Sequence, residues 1–381
     1  MRVLYDYQAF AMQKYGGVSR CFAELVRHLP PEVDHEISIK ESDNAYIQDL
    51  PDLKPARDKF NHFLVKGNFK GKSHIHRLYD KITKGHYYPN YNKYCTIEKL
   101  KKGDFDIFHP TFFDDYFLPY LNNKPFVLTI HDMIPERYQQ YYGANDFQII
   151  KKRKLAERAN AIVSVSETTK SDIIKYLDIP SEKIHVIYHG CSFKRTNNPR
   201  RIIDSPYILY VGARDNYKNF IPFVYHSLPF LNNHPEFKII CTGASFSEEE
   251  KKLIASHSMK DRVIQHWIQS DEELFSLYHF AMCFVYPSEY EGFGIPILEA
   301  YTAECPVLLN NASCFPEIAG DAAIYFDMSS EHSDLSEKLE YINGLSALAK
   351  KALLDLQSKR LKTYSWSKSA SQLYSVYQSL I

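Results

Sequence analysis

The chain has 381 residues, enough for two domains that each build a core. Apolar residues make up 45 % and charged residues 24 %, a soluble globular balance, and no run of about 18 apolar residues could span a bilayer. The 46 Lys and Arg balance 46 Asp and Glu, so charge informs only through where it falls.

The opening Met-Arg-Val-Leu-Tyr-Asp reads as a first strand over 3–5 and not as a targeting segment. Gly16-Gly17 follows. Val18, Phe22, Leu25, Val26 and Leu29 then share one face of a helix that ends before Pro30-Pro31. The glycine pair is not the G-x-G-x-x-G fingerprint, so no nicotinamide or other cofactor is expected. Between 54 and 102 stand 13 Lys/Arg against 3 Asp/Glu, with four histidines and the aromatic cluster Tyr87, Tyr88, Tyr91 and Tyr94. That stretch is a solvated surface insertion, a footprint for anionic lipid headgroups or a phosphate-bearing acceptor, or a nucleic-acid patch. No helix-turn-helix, RNA-stacking or zinc pattern accompanies the charge, so nucleic acid is not expected as a partner.

Apolar runs at 107–109, 126–130, 161–165 and 185–188 predict further strands, with helices near 146–159 and from about 166–171. Asp104-Phe-Asp106 has the spacing of a metal-binding pair but reads as a strand entrance, and no metal site is assigned. His131-Asp132 closes the 126–130 strand at its carboxyl end, where ligands bind in α/β sheets. The polar stretch 194–201 reads as a linker. Strands resume at 207–211, 237–241, 262–265, 282–286, 306–309 and 323–326. Ser247-Glu-Glu-Glu250 and Ser270-Asp-Glu-Glu273 predict capping boxes. The pattern is α/β: two Rossmann-like halves with a ligand cleft expected between them. The seven scattered cysteines form no C-x-x-C pair, which predicts a reduced cytoplasmic chain. The sequon-like Asn311-Ala-Ser313 is read as chance.

Two segments carry the chemistry. After the 207–211 strand comes Val-Gly-Ala-Arg214-Asp-Asn-Tyr-Lys218-Asn219, a glycine turn and two cations suited to a pyrophosphate. After the 282–286 strand comes Pro-Ser-Glu-Tyr-Glu291-Gly292-Phe293-Gly294-Ile295-Pro-Ile-Leu-Glu299. A strand, a glycine loop and a helix opening at Pro296 make an anion site. Carboxylates flanking it suit sugar hydroxyls better than phosphate, so the segment reads as a receptor for a nucleotide-sugar.

With Ala300, Pro306, Asn311-Ala-Ser313 and Pro316-Glu317, the Glu-x7-Glu element resembles the retaining family 4 glycosyltransferases of the GT-B fold, also known as glycosyl transferases group 1. The resemblance covers nearly the whole chain apart from about 40–100. It implies two Rossmann-like domains facing across a cleft. The acceptor-side domain would be 1–190, the nucleotide-sugar domain 205–362, and a helix at 363–381, starting near Trp366, would pack back on the first.

The resemblance further implies that Glu291 lies by the donor sugar and that Glu299 holds the ribose hydroxyls. The backbone of Gly292, Phe293, Gly294 and Ile295 would meet the diphosphate together with Lys218 and Arg214. Gly16, Gly17, His131 and Asp132 would approach from the other domain, His131 beside the transferred sugar. Relatives often carry Arg where this chain has Tyr217. The implied activity is metal-independent, retaining hexosyl transfer in surface polysaccharide or lipopolysaccharide synthesis, most similar to bacterial mannosyltransferases. GDP-mannose is the first donor expected and a UDP-sugar the second. The acceptor is a glycan or polyprenol-linked glycan, reached by a cytoplasmic protein peripheral to an anionic membrane face. The other readings are a nucleotide-sugar epimerase and a non-catalytic sugar-nucleotide-binding protein.

Overall fold

The structure, a computed structural model, describes residues 1–56, 90–214, 216–329 and 333–381. Most of the basic stretch, with all four of its histidines and with Tyr87 and Tyr88, lies outside the described residues. The chain divides into two compact units. One holds Met1–Val165, Thr169–Ile187 and Trp366–Ile381, and the other Ser166–Thr168 and Tyr188–Ser365. The boundary at 187/188 lies ahead of the polar stretch 194–201, which has no helix or strand.

The first unit contains β1 (Arg2–Tyr5), β2 (Asp34–Ile37), β3 (Ile107–His109), β4 (Val127–Ile130), β5 (Ala161–Ser164) and β6 (Ile184–Val186). They form two parallel three-stranded sheets, β2-β1-β3 and β4-β5-β6. A parallel bridge from Phe108 to Phe126 joins β3 to the start of β4. Apart from Arg2 at the start of β1, the strands β1, β3, β4 and β5 are buried throughout and mostly apolar, as expected of parallel strands covered on both faces. β2 escaped the sequence pattern. Its Asp-His-Glu-Ile is polar because it is an edge strand, and Arg2 reaches its Asp34 and Glu36. Asp106, at the strand entrance, accepts the Arg2 N–H at 2.7 Å.

Helix Gly17–Arg27 buries Cys21, Phe22, Leu25 and Val26 against this sheet, and helix Trp366–Gln378 adds Trp366, Leu373, Val376 and Tyr377 to the same core. The Tyr377 hydroxyl lies 2.7 Å from that of Tyr5 and 2.6 Å from His109 Nδ1, and His109 Nε2 meets Thr129 Oγ1 at 2.8 Å. Helix Asn90–Lys102 ends the basic stretch inside the fold: Asn92 accepts from the backbone N–H of Lys40 and Glu41 and donates to the Glu41 carbonyl.

The second unit is a six-stranded parallel sheet in the order β12-β11-β10-β7-β8-β9. Its strands are β7 (Tyr207–Tyr210), β8 (Lys238–Cys241), β9 (Val263–Gln265), β10 (Cys283–Tyr286), β11 (Val307–Asn310) and β12 (Ile324–Phe326). Ser247 and Glu250 form the expected reciprocal capping box. At Ser270 only half of one exists. The Ser270 hydroxyl accepts the Glu273 N–H, but the Glu273 carboxylate turns to the Gln269 N–H and to His266. The strand order reverses between β7 and β10, so the loops leaving their carboxyl ends lie side by side. That is the topological switch point where open α/β sheets leave a crevice.

Candidate active site

The two switch-point loops of the second unit are the two segments that the sequence singles out. The Glu289 N–H donates to the Tyr217 carbonyl at 2.8 Å, and Asn219 Nδ2 donates to the Pro287 carbonyl at 3.2 Å. These cross-links set a side-chain meeting: Lys218 Nζ lies 2.5 Å from Glu291 Oε1. Glu291 is held from a third direction. The Ser313 hydroxyl accepts the Glu291 N–H at 3.1 Å and donates to the Glu291 carbonyl at 2.8 Å. The Tyr286 phenol also bonds the Glu291 carboxylate, and burial keeps that phenol protonated.

Past Glu291 the chain turns through Gly294 at φ +93° into helix Ile295–Thr302, which has Pro296 in its first turn. A Cβ on Gly294 would lie 3.1 Å from Ile297 Cδ1, so both conformation and space ask for glycine. In the first turn of this helix the Ile297 N–H is taken by the Gly294 carbonyl at 2.9 Å, Pro296 has no N–H, and no side chain caps the helix start. The Gly292 carbonyl accepts from Ser166 Oγ at 2.7 Å. The Phe293 ring is a packing element, edge-on to His189 and Tyr364. Glu299, one helical turn on, is buried and accepts from the Tyr278 hydroxyl at 3.4 Å.

Arg214 departs from the expectation of a phosphate-facing cation. Its Nε donates to Glu250 at 2.7 Å, Nη1 to the Thr242 carbonyl at 2.8 Å and Nη2 to the Ala244 carbonyl at 2.5 Å. Its side chain is 6 % exposed, as is that of Glu250. The guanidinium therefore ties the β7 loop to the β8 loop, and its planar fork is already matched by protein acceptors. The loops approach closely here: a Cβ on Gly243 would lie 2.8 Å from the Gly212 carbonyl oxygen.

In the first unit, His131 and Asp132 leave the carboxyl end of β4. The His131 ring stands edge-on to Phe22, centroids 5.9 Å apart. Burial pushes its imidazole from the ordinary 6.5 down to about 4, against the pull of Asp132 and with a further push from Lys152. It is a neutral hydrogen-bonding group at pH 7. The Asp132 carboxylate accepts the Ile134 N–H at 3.0 Å and fixes the turn. Gly16 and Gly17 open the helix that carries Phe22. Gly16 has an extended φ of −165°, and a Cβ on Gly17 would meet nothing within 4 Å. Neither backbone conformation demands glycine.

The residue pattern matches two protein families. "Glycosyl transferases group 1" matches residues 194–351, and "Glycosyltransferase Family 4" matches 15–195. The chain belongs to the group 1 glycosyltransferases. This glycosyltransferase is 29 % identical over 216 residues to the O-antigen chain mannosyltransferase RfbU of Salmonella typhimurium, a match covering 57 % of this chain. The match spans 60 % of that relative's length. It is 25 % identical over 294 residues to the O-antigen chain mannosyltransferase B of Escherichia coli, covering 70 % of this chain and 73 % of that one. Among solved structures it is similar to Anabaena HepE in complex with UDP and glucose, with TM-score 0.72 and 14 % identity over the whole of both chains. It is also similar to a sucrose-phosphate synthase from Thermosynechococcus elongatus, with TM-score 0.71 and 17 % identity over 100 % and 98 % of the two chains. These likenesses show the GT-B fold.

Sequence reasoning missed the supports of this site. Ser313 lies within the motif that carries the resemblance, but nothing local says that its hydroxyl would bracket Glu291. Glu317 accepts from the N–H groups of Glu167 and Thr168 at 2.7 and 3.0 Å. Glu250 was visible only as a capping residue and also serves Arg214.

Proposed function

We propose that this protein transfers a sugar from a nucleoside-diphosphate donor to a glycan hydroxyl, with retention of anomeric configuration and without a metal ion. The observation that carries the reading is the Lys218–Glu291 pair beside the glycine turn and helix start at Gly294 and Ile295. The site combines a cation, a helix N-terminus and two carboxylates, one set for each half of a nucleotide-sugar.

Lys218 and the N–H groups around Gly292, Phe293, Gly294 and Ile295 would take up the charge that grows on the diphosphate as its bond to the sugar C1 breaks. The acceptor oxygen would attack C1 from the face the diphosphate leaves, passing its proton to the departing phosphate oxygen. Glu299 would accept hydrogen bonds from the ribose hydroxyls and Glu291 from the sugar, and neither is assigned as base or nucleophile. His131, as a neutral imidazole, would hydrogen-bond the transferred sugar, with Asp132 setting its turn. Gly16 and Gly17 would leave room for close approach. Arg214 would support the phosphate loop through Glu250 and not by direct contact.

The relatives named mannosyltransferases favour mannose, hence GDP-mannose, with a UDP-sugar as the second donor. Their O-antigen names favour a polysaccharide or polyprenol-linked glycan as acceptor. A cytoplasmic protein peripheral to the membrane fits that acceptor. No helix among the described residues is long and apolar enough to cross a membrane.

The test is incubation with a panel of GDP- and UDP-sugars and a polyprenol-diphosphate glycan, with EDTA present. Free nucleotide and a product of retained anomeric configuration are expected. Epimerised sugar, or binding with no nucleotide released, would move the assignment to one of the other classes. Sedimentation with anionic liposomes addresses the membrane: equal binding to neutral vesicles would remove that part.

A further inference from the structure

Beneath the His131 turn lies a buried pair of opposite charges, Lys152 and Glu136. Lys152, on helix Phe147–Arg158, has a side chain 1 % exposed, an uncommon place for an ammonium group. Its Nζ donates to Glu136 Oε2 at 2.9 Å and to the backbone carbonyl of Asp132 at 3.0 Å. Glu136 belongs to the short helix Ile134–Arg137 that follows the turn, and its side chain is 3 % exposed.

Taking two charges out of water is costly, and apolar side chains of the same volume often serve stability as well or better. Stability alone is a weak reason for this pair. Its geometry supplies another, because the ammonium grips the carbonyl next to His131 and the helix after it at once.

We propose that Lys152 and Glu136 are positioning residues that lock the His131–Asp132 turn, so that the imidazole is held ready for the transferred sugar. The inference rests on the reading of His131 given above.

The turn is then fixed from both ends. The Asp132 carboxylate takes the Ile134 N–H, and the Lys152 ammonium takes the Asp132 carbonyl. Among the described residues of the first unit, few other groups set the charge of the ring. Asp132 adjoins it, and Lys152 lies below. His109 approaches from β3, and Cys21 comes within 4.8 Å from helix Gly17–Arg27. Burial keeps Cys21 a neutral thiol and His109 a neutral imidazole, so Lys152 is the cation that acts on His131.

Removing Lys152 alone would leave the Glu136 carboxylate buried without its ammonium partner, so the informative variant is the double Lys152→Met/Glu136→Gln. Imidazole NMR of the full chain labelled with 15N-histidine follows His131, assigned by its loss in His131→Gln. Nucleotide release from GDP-mannose and UDP-glucose is measured alongside. In a double variant that melts near the parent temperature, the His131 titration should move upward from its parental value as the cation goes. Turnover should fall about tenfold or more with donor KM nearly unchanged, as for a displaced catalytic group. A folded double variant with the parental titration and turnover overturns the proposal. If His131→Gln keeps the parental turnover, the catalytic reading of His131 fails, and the titration still decides whether the pair positions the ring.

Discussion

Lys218 and Glu291 come from loops that leave neighbouring strands and meet at 2.5 Å, with side chains 16 % and 11 % exposed. The pair holds a cation next to the helix start without leaving that cation bare. A diphosphate entering the site would compete with the carboxylate for the same ammonium. Lys218→Ala should therefore lower turnover of GDP-mannose by about 10²–10³-fold. It should cost only about 1–3 kcal/mol of stability, from the carboxylate left behind. Kinetics and urea unfolding on the same preparation check both. A fully active Lys218→Ala protein would sink the mechanism.

Glu299 should act on binding and hardly on turnover. Glu299→Gln keeps the shape but weakens a charge-assisted hydrogen bond worth about 1.5–3 kcal/mol, so the donor KM should rise by about 10–100-fold. A 2′,3′-dideoxyribose donor should show little of this penalty. An equal loss with both donors would place Glu299 elsewhere than at the ribose.

Arg214 should read as a structural residue. Removing one member of a buried, multiply bonded pair costs about 3–5 kcal/mol, so Arg214→Met and Glu250→Gln should each lower the melting temperature markedly. The double variant should recover much of the loss, since no charge is then left unpaired. If Arg214→Met instead melts like the parent and loses only turnover, the direct phosphate role is reinstated.

Acid should destabilise the first unit through its buried imidazoles. In the folded state burial pushes His109 down to about 3 and His131 to about 4, whereas both titrate near the ordinary 6.5 once unfolded. The unfolded chain thus binds more protons below about pH 6.5, and stability falls as pH drops through that window towards 4 and 3. The total effect is on the order of a few kcal/mol. A His109→Gln/His131→Gln variant should show a flatter decline of melting temperature between pH 7 and 5. An unchanged slope would assign the acid sensitivity to other groups.

The sequence made the parallel strands legible because a strand covered on both faces must be almost wholly apolar, as in 127–130, 161–164 and 283–286. The same physics hid β2, an edge strand whose Asp34 and Glu36 answer Arg2 instead of filling a core. Within the site, Gly294 and Pro296 were readable because each serves a local backbone need. The ties of Arg214 were hidden because its partners arrive from Thr242, Ala244 and Glu250, some 30 residues downstream, and no spacing rule links them. Lys152 looked like one more cation in a run of four, Lys151 to Lys154, until the fold buried it alone against Glu136.

Helix Trp366–Gln378 has a consequence for the birth of the protein. Its Tyr377 hydroxyl joins Tyr5 and His109 in the middle of the first unit, yet it is synthesised after all of the second. The segment Tyr188–Ser365 is continuous apart from three residues supplied by Ser166–Thr168. On the ribosome the usual order of domain folding would then be reversed. The second unit can close while the first still waits with an open seam beside β1. Over that interval the unfilled places of Trp366, Leu373 and Val376 are exposed apolar surface, the kind of surface that chaperones hold.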